Sequence, residues 1–323
     1  MKIEMLLGTI ALVLLLMVLI AELGLRIGFG FGNPPLYIGD ERIGYLLAPN
    51  QSVRRYGNLI RINEYSMRAD AIAPLPKPHT LRILLLGDSL ANGSWWTDQS
   101  NILSVRIAQQ LQADLPADLP ADLLADYQQV EALNVSANSW GPRNQKAYLD
   151  AYGTFGATVI VLLLNTDDLF GTQPTPLQVG RSNSYPDRKP VSAIAEVLSR
   201  YAKAKPIPGL KEIEAEGGDR VGKNLEAIDG IYQKAITDGS QFMLVLSPLK
   251  RELPGPRDYE LVARQRLSDW AVAAKVTYLD LLKPYQQQRD SSRLYRDHIH
   301  LSPVGDEFVA GAIAQAITAL LAI

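Results

Sequence analysis

The stretch Arg82-Ile83-Leu84-Leu85-Leu86-Gly87-Asp88-Ser89-Leu90 sets an uninterrupted apolar run directly against a Gly-Asp turn and a hydroxyl-bearing residue. A run without polar alternation is the pattern of a strand buried on both faces, as in a parallel sheet covered by helices on either side. Four further, mainly apolar runs follow, at residues 130–135, 158–164, 242–246 and 276–281. Between them, helical spacing of apolar residues predicts helices over 102–112, 144–152, 223–237 and 259–273. A last helix starts near Pro303 and carries Ala310, Ile313, Ile317 and Leu320 on one face. This alternation specifies a three-layer α/β/α sandwich around a mostly parallel five-stranded sheet.

Outward from this core the pattern changes. Residues 27–80 are rich in Gly, Pro and scattered aromatics, and are expected to form an irregular or short-stranded lead-in packed on a main domain of residues 81–323. Within the main domain, Ala113-Asp114-Leu115-Pro116 is repeated as Ala117-Asp118-Leu119-Pro120 and followed by Ala121-Asp122-Leu123-Leu124. Prolines four residues apart oppose a regular helix, so a surface loop is expected there. Residues 171–208 carry Pro174, Pro176, Pro186, Pro190, Pro206 and Pro208 after the third strand. Such an excursion lies on the side where α/β sheets bind ligands; it either shapes a substrate cleft or is a tolerated surface insertion.

The N-terminus has a different character. Residues 5–21 carry no charge, and the apolar run resumes past Glu22 through Leu25 before Arg26. A helix needs roughly 20 mainly apolar residues to cross a bilayer, whereas the apolar part of a secretory signal spans only about 7–15. Residues 1–26 are therefore expected to form an uncleaved single-pass membrane anchor, with a signal peptide as the alternative reading. A long hydrophilic domain behind a signal-like N-terminus is normally translocated, which places the main domain outside the cytoplasm.

Bulk properties remove several classes of function. The chain has 323 residues, 47% of them hydrophobic, enough for a filled core. A formal net charge of −2 gives no electrostatic basis for a nucleic-acid partner. The absence of cysteine excludes disulfides and thiolate metal sites, and three histidines, His79, His298 and His300, leave no basis for a His-rich metal centre. No metal or organic cofactor is expected.

Chemistry concentrates in two places. Ser89 follows the first main-domain strand, which puts its hydroxyl at the carboxyl edge of the sheet. Far downstream, Asp297-His298-Ile299-His300-Leu301-Ser302-Pro303 sets a carboxylate and an imidazole three residues apart ahead of the last helix. Together they supply the hydroxyl, base and orienting carboxylate that activate an oxygen nucleophile. His300 is favoured as the base, because His298 is adjacent to Asp297 and harder for that carboxylate to orient. Ser89 alone would read as a helix cap, and Asp297 alone as a turn residue.

With these residues in this order, the chain resembles the GDSL, or SGNH, hydrolase family over roughly residues 81–315. The resemblance rests on Gly87-Asp88-Ser89-Leu90 and on Asp297-x-x-His300 followed by Leu-Ser-Pro and a closing helix. The stretch Asn63-Glu64-Tyr65-Ser66-Met67-Arg68 and the N-terminal segment also look like the lead-in of membrane-attached bacterial members. The resemblance implies Ser89 as nucleophile, His300 as general base and acid, and Asp297 as its orienting partner. It further implies an oxyanion hole from the Ser89 backbone and two more positions, where this sequence departs from the family. The family's second-block glycine corresponds to Ser139 in Asn134-Val135-Ser136-Ala137-Asn138-Ser139-Trp140-Gly141. The third-block asparagine corresponds to Asp167 in Leu164-Asn165-Thr166-Asp167-Asp168. A main-chain donor survives replacement of a glycine, but an ionised carboxylate donates no hydrogen bond and repels developing negative charge. Three resolutions are open: a protonated Asp167, an amide from Asn165 or Asn138, or weak or absent catalysis. Trp95, Trp96 and Trp140 are candidates for a substrate-stacking wall or for plain core. The expected activity is hydrolysis of a small-molecule or saccharide ester, with a polysaccharide O-acyltransferase or a non-catalytic carbohydrate-binding protein as alternatives.

Overall fold

In the computed structural model, which describes residues 2–118 and 127–321, the chain opens with the long helix α1 (Lys2–Phe29). Two antiparallel hairpins follow, β1 (Tyr37–Asp40) with β2 (Gly44–Leu47) and β3 (Gln51–Arg55) with β4 (Asn58–Ile62). Next come β5 (Thr80–Gly87), the single turn α2 (Ser89–Asn92), α3 (Leu103–Asp118), β6 (Gln129–Ser136), α4 (Pro142–Tyr152) and β7 (Val159–Asn165). The remainder is α5 (Ala193–Tyr201), α6 (Leu210–Glu214), α7 (Arg220–Thr237), β8 (Gln241–Ser247), α8 (Asp258–Ala273), β9 (Thr277–Asp280), α9 (Leu282–Gln286) and α10 (Pro303–Leu321).

Strands β5 to β9 form one sheet in the order β6-β5-β7-β8-β9, with every neighbouring pair parallel. All residues of β5 and β7 are buried, which is why their sequences are apolar without alternation. Successive side chains still point to opposite faces. Leu84 and Leu86 join a cluster with the hairpins, α4, α7 and α8, whereas Ile83 and Leu85 join one with α3 and α10. The sheet is thus the middle of three layers.

One expectation is corrected. Helix α3 continues to Asp118, through Pro116 and past the point where the prolines were expected to stop it. Pro116 lies in the last turn, where a missing N–H costs a single intrahelical bond. The rest of the expected loop, residues 119–126, lies outside the described residues.

Among the described residues, two helices, α1 and α10, are long and apolar enough to cross a membrane. Their surroundings differ: Val309, Ile313 and Ile317 of α10 are buried in the core, whereas no residue of α1 is buried. By length and composition α1 fits a membrane anchor or a signal sequence. Its last turns engage the domain. Glu22, the charge that interrupts the apolar run, accepts hydrogen bonds from the backbone N–H groups of Ala193 (2.8 Å) and Ile194 (3.0 Å) at the start of α5. A carboxylate there satisfies orphan donors and opposes the helix dipole. The Pro-rich excursion therefore contains a helix that docks on the end of α1.

Candidate active site

The sheet order fixes where chemistry can occur. The chain passes from β5 to β6 on one side and then to β7 on the other, so the carboxyl ends of these three strands flank the topological switch point. Ser89 follows β5, Ser139 follows β6 and Asp167 follows β7, and all three come to the same edge. At Gly87 the strand turns so sharply that a Cβ would lie 2.6 Å from Cβ of Ala91, so a side chain there would displace the turn. Asp88 then caps the α2 turn by accepting from the Leu90 N–H at 2.8 Å, which starts the turn with Ser89 as its first residue.

The loop before α10 comes back to this edge. His300 Nε2 lies 3.1 Å from Ser89 Oγ, and His300 Nδ1 lies 2.8 Å from Asp297 Oδ2. The other carboxylate oxygen of Asp297 accepts from the N–H groups of Ile299 (2.9 Å) and His300 (2.8 Å). Partial burial works against the charge of Asp297, but these donors and the His300 ring outweigh it and hold the carboxyl down to about 2. An ionised Asp297 fixes the tautomer with the proton on Nδ1 and leaves Nε2 as an acceptor facing Ser89. His298 is solvent-exposed, with Nδ1 3.9 Å from Asp297. Trp96 packs edge-on against the His300 ring with centroids 4.5 Å apart, and Arg296 lies over the faces of Trp95 and Trp96.

The opposite side of Ser89 is built from different material. Ser139 has φ +61°, in the left-handed region that favours glycine, so the backbone keeps a glycine-like shape with a serine in place. Among the described residues, its N–H donates to no protein acceptor. The Asp167 carboxylate is exposed and accepts from Arg251 Nη2 at 2.8 Å. The expectation of a buried site for Asp167 does not match this placement. The Asn165 amide is also committed, with Nδ2 3.0 Å from both Asp88 Oδ2 and Asp168 Oδ2. Asn138 differs: its Oδ1 accepts from Ser94 Oγ at 3.0 Å, which leaves Nδ2 without a protein acceptor among the described residues.

The GDSL-like lipase/acylhydrolase family profile matches residues 85–308, more than half of the sequence, beginning just before Gly87-Asp88-Ser89 and ending beyond His300. The chain belongs to this family. No curated protein matches it. Among solved structures, a lipolytic protein of the G-D-S-L family from Desulfitobacterium hafniense is 13% identical, with the match covering 73% of this chain and 99% of that one at TM-score 0.46. A lipase/acylhydrolase from Enterococcus faecalis is 13% identical over 74% and 95% of the two chains at 0.43. The acetyl xylan esterase AlAXEase is 13% identical over 73% and 99% at 0.42.

Several residues of this GDSL-family site escaped the sequence reading. Asp88 and Asp168 are buried carboxylates that share the Asn165 amide. Burial pushes Asp88 up to about 6, against the Leu90 N–H and His300; burial and then the Asp88 charge push Asp168 well above the usual carboxylate range. Arg68, fully buried, donates to the carbonyls of Asn92, Ser94 and Thr97 and so ties down the segment after Ser89. Trp140 is core: it is 2% exposed and donates from Nε1 to the Tyr45 carbonyl.

Proposed function

We propose that this GDSL-family chain is a serine esterase tethered to a membrane by α1, with its main domain on the extracytoplasmic side. The observation that carries the reading is the unbroken hydrogen-bond chain from Ser89 Oγ through His300 to Asp297. Ser89 Oγ transfers its proton to His300 Nε2 as it bonds to the acyl carbon. The resulting tetrahedral oxyanion is held by the backbone N–H groups of Ser89 and Ser139, with the amide of Asn138 as third donor in place of the Asp167 side chain. Collapse breaks the ester C–O bond, and the alcohol leaves with the proton from His300. Water then gives a proton to His300, attacks the acyl-Ser89, and releases the acid as the proton returns to the serine. Asp297 stays ionised throughout and stabilises the imidazolium.

Only the second half-reaction separates an esterase from an acyltransferase, and no residue at the site favours a sugar hydroxyl over water. The test is labelling of the full chain in detergent by a fluorophosphonate. Wild type is expected to label and Ser89→Ala not to; a folded wild type that stays unlabelled at neutral and mildly alkaline pH contradicts the proposal.

A further inference from the structure

A cavity of about 690 Å³ is lined in part by residues that follow Ser89 and precede Ser139 in the chain. Its walls come from several segments. The hairpins contribute Arg55 and Ile60, the segment after the nucleophile contributes Asn92 and Trp95, and the Pro-rich excursion contributes residues from Arg181 to Ile207. Two chain neighbours link it to the catalytic edge: Asn92 lies one turn after Ser89 in α2, and Asn138 directly precedes Ser139. An ester held at Ser89 therefore has this cavity as the space for the part of the molecule that does not react.

The charge of the lining is one-sided. Arg55, Arg181, Arg200, Lys203 and Lys205 all line the cavity, and no Asp or Glu does, in a chain whose formal net charge is −2. Arg55 and Arg200 share Glu196, which lies behind the wall. Arg181, Lys203 and Lys205 have no ion-pair partner among the described residues. Like charges gathered on one concave surface raise the local concentration of anions and favour an anionic ligand. The rest of the lining mixes hydroxyls and amides, including Ser94, Asn138, Ser182 and Asn183, with apolar side chains such as Leu47, Ile60 and Ile207 and with the Trp95 ring. The hydroxyls and amides suit a ligand with many hydroxyls, and pockets of about 300–1,000 Å³ are the size that holds small-molecule ligands.

On the esterase reading above, we propose that the substrate is an acylated acidic saccharide whose ring carboxylates are bound by Arg181, Lys203 and Lys205 while its ester lies at Ser89. The excursion of residues 171–208 is then the element that selects the substrate.

The test uses the full chain in zwitterionic lipid nanodiscs with two substrates, O-acetylated oligogalacturonide and its carboxyl-reduced, neutral counterpart. The expected ratio of kcat/KM, acidic over neutral, is about tenfold at low salt and shrinks as salt screens the cations. In the variant Arg181→Gln/Lys203→Gln/Lys205→Gln the ratio falls to near one. A wild-type ratio near one, or a variant that loses both substrates equally, overturns the proposal. Binding of non-acetylated oligogalacturonide to Ser89→Ala, with and without the three Gln substitutions, separates this proposal from the esterase reading. Binding that depends on the three cations without turnover in wild type sinks the esterase reading and leaves the cavity assignment standing. Turnover of both esters without cation-dependent binding does the reverse. If phosphatidylglycerol vesicles bind through these cations and the oligosaccharide does not, the cavity is a lipid-headgroup site and the proposal fails.

Discussion

On one side of Ser89, Asp297 and His300 form a continuous hydrogen-bonded chain; on the other, Ser139 and Asp167 stand where the family resemblance expects glycine and asparagine. The difference follows from what each side must supply. A base needs one ring with one free lone pair, and no backbone group substitutes for it. An oxyanion hole needs only N–H groups in the right direction, and the main chain provides them from any residue that tolerates the required φ. Ser139 at φ +61° meets that condition. Asp167 is turned out to Arg251, and on the proposed mechanism the amide role falls to Asn138.

Substitutions on the two sides therefore have unequal effects. Asp297→Asn keeps the shape but takes away the charge that orients His300, and kcat is expected to fall about 10⁴-fold while the folded fraction and KM change little. A fall of less than tenfold would show that His300 is oriented by something else. On the oxyanion side, Asn138→Ala is expected to lower kcat about 10²- to 10³-fold, as removal of one donor does. Asp167→Asn should change kcat less than about threefold, since it removes only an exposed ion pair. A large gain from Asp167→Asn would reverse the comparison and mark the native oxyanion hole as incomplete.

The buried carboxylates behind Ser89 give a smaller effect, read in stability. Carboxyls of the unfolded chain lose their protons near pH 4, whereas Asp88 holds its proton up to about 6 and Asp168 is raised by burial and by the Asp88 charge. The folded state binds more protons across that window, so stability falls as pH rises through it. Asp168→Asn takes away the like charge, and the loss of stability between about pH 4.5 and about pH 7.5 should shrink by roughly 1–3 kcal/mol, measured by urea unfolding. An unchanged pH slope would mean that the two carboxylates do not interact. Smallest of all, Ser139→Gly relieves a left-handed serine and should raise the unfolding free energy by up to about 1 kcal/mol with turnover kept within about twofold.

The five strands and their parallel arrangement were legible because buried strands must be apolar along their whole length, and β5 and β7 are so. Ser89, Asp297 and His300 were legible as residue types in a known order, although only the fold brings groups 211 positions apart to 3.1 Å. The path of α3 through Pro116 was not, because one lost hydrogen bond in a last turn is a small cost. Pairings such as Asp167 with Arg251, Glu22 with the start of α5, or Arg68 with three carbonyls leave no local signal. Each is a polar group finding a partner in space, and sequence spacing carries no trace of it. The charge of the cavity was hidden too: four of its cations lie in the Pro-rich excursion, but only the fold turns them, with Arg55, onto one concave wall.

The central claim, that the Ser89 oxygen is the atom that takes the acyl group, is tested most directly by trapping the intermediate. Wild-type protein mixed with an activated acetyl ester, quenched in acid during the first turnover and digested, is expected to carry one acetyl group on the peptide that contains Ser89. An acetyl group on any other residue, or a burst of alcohol with Ser89 unmodified, would contradict the account.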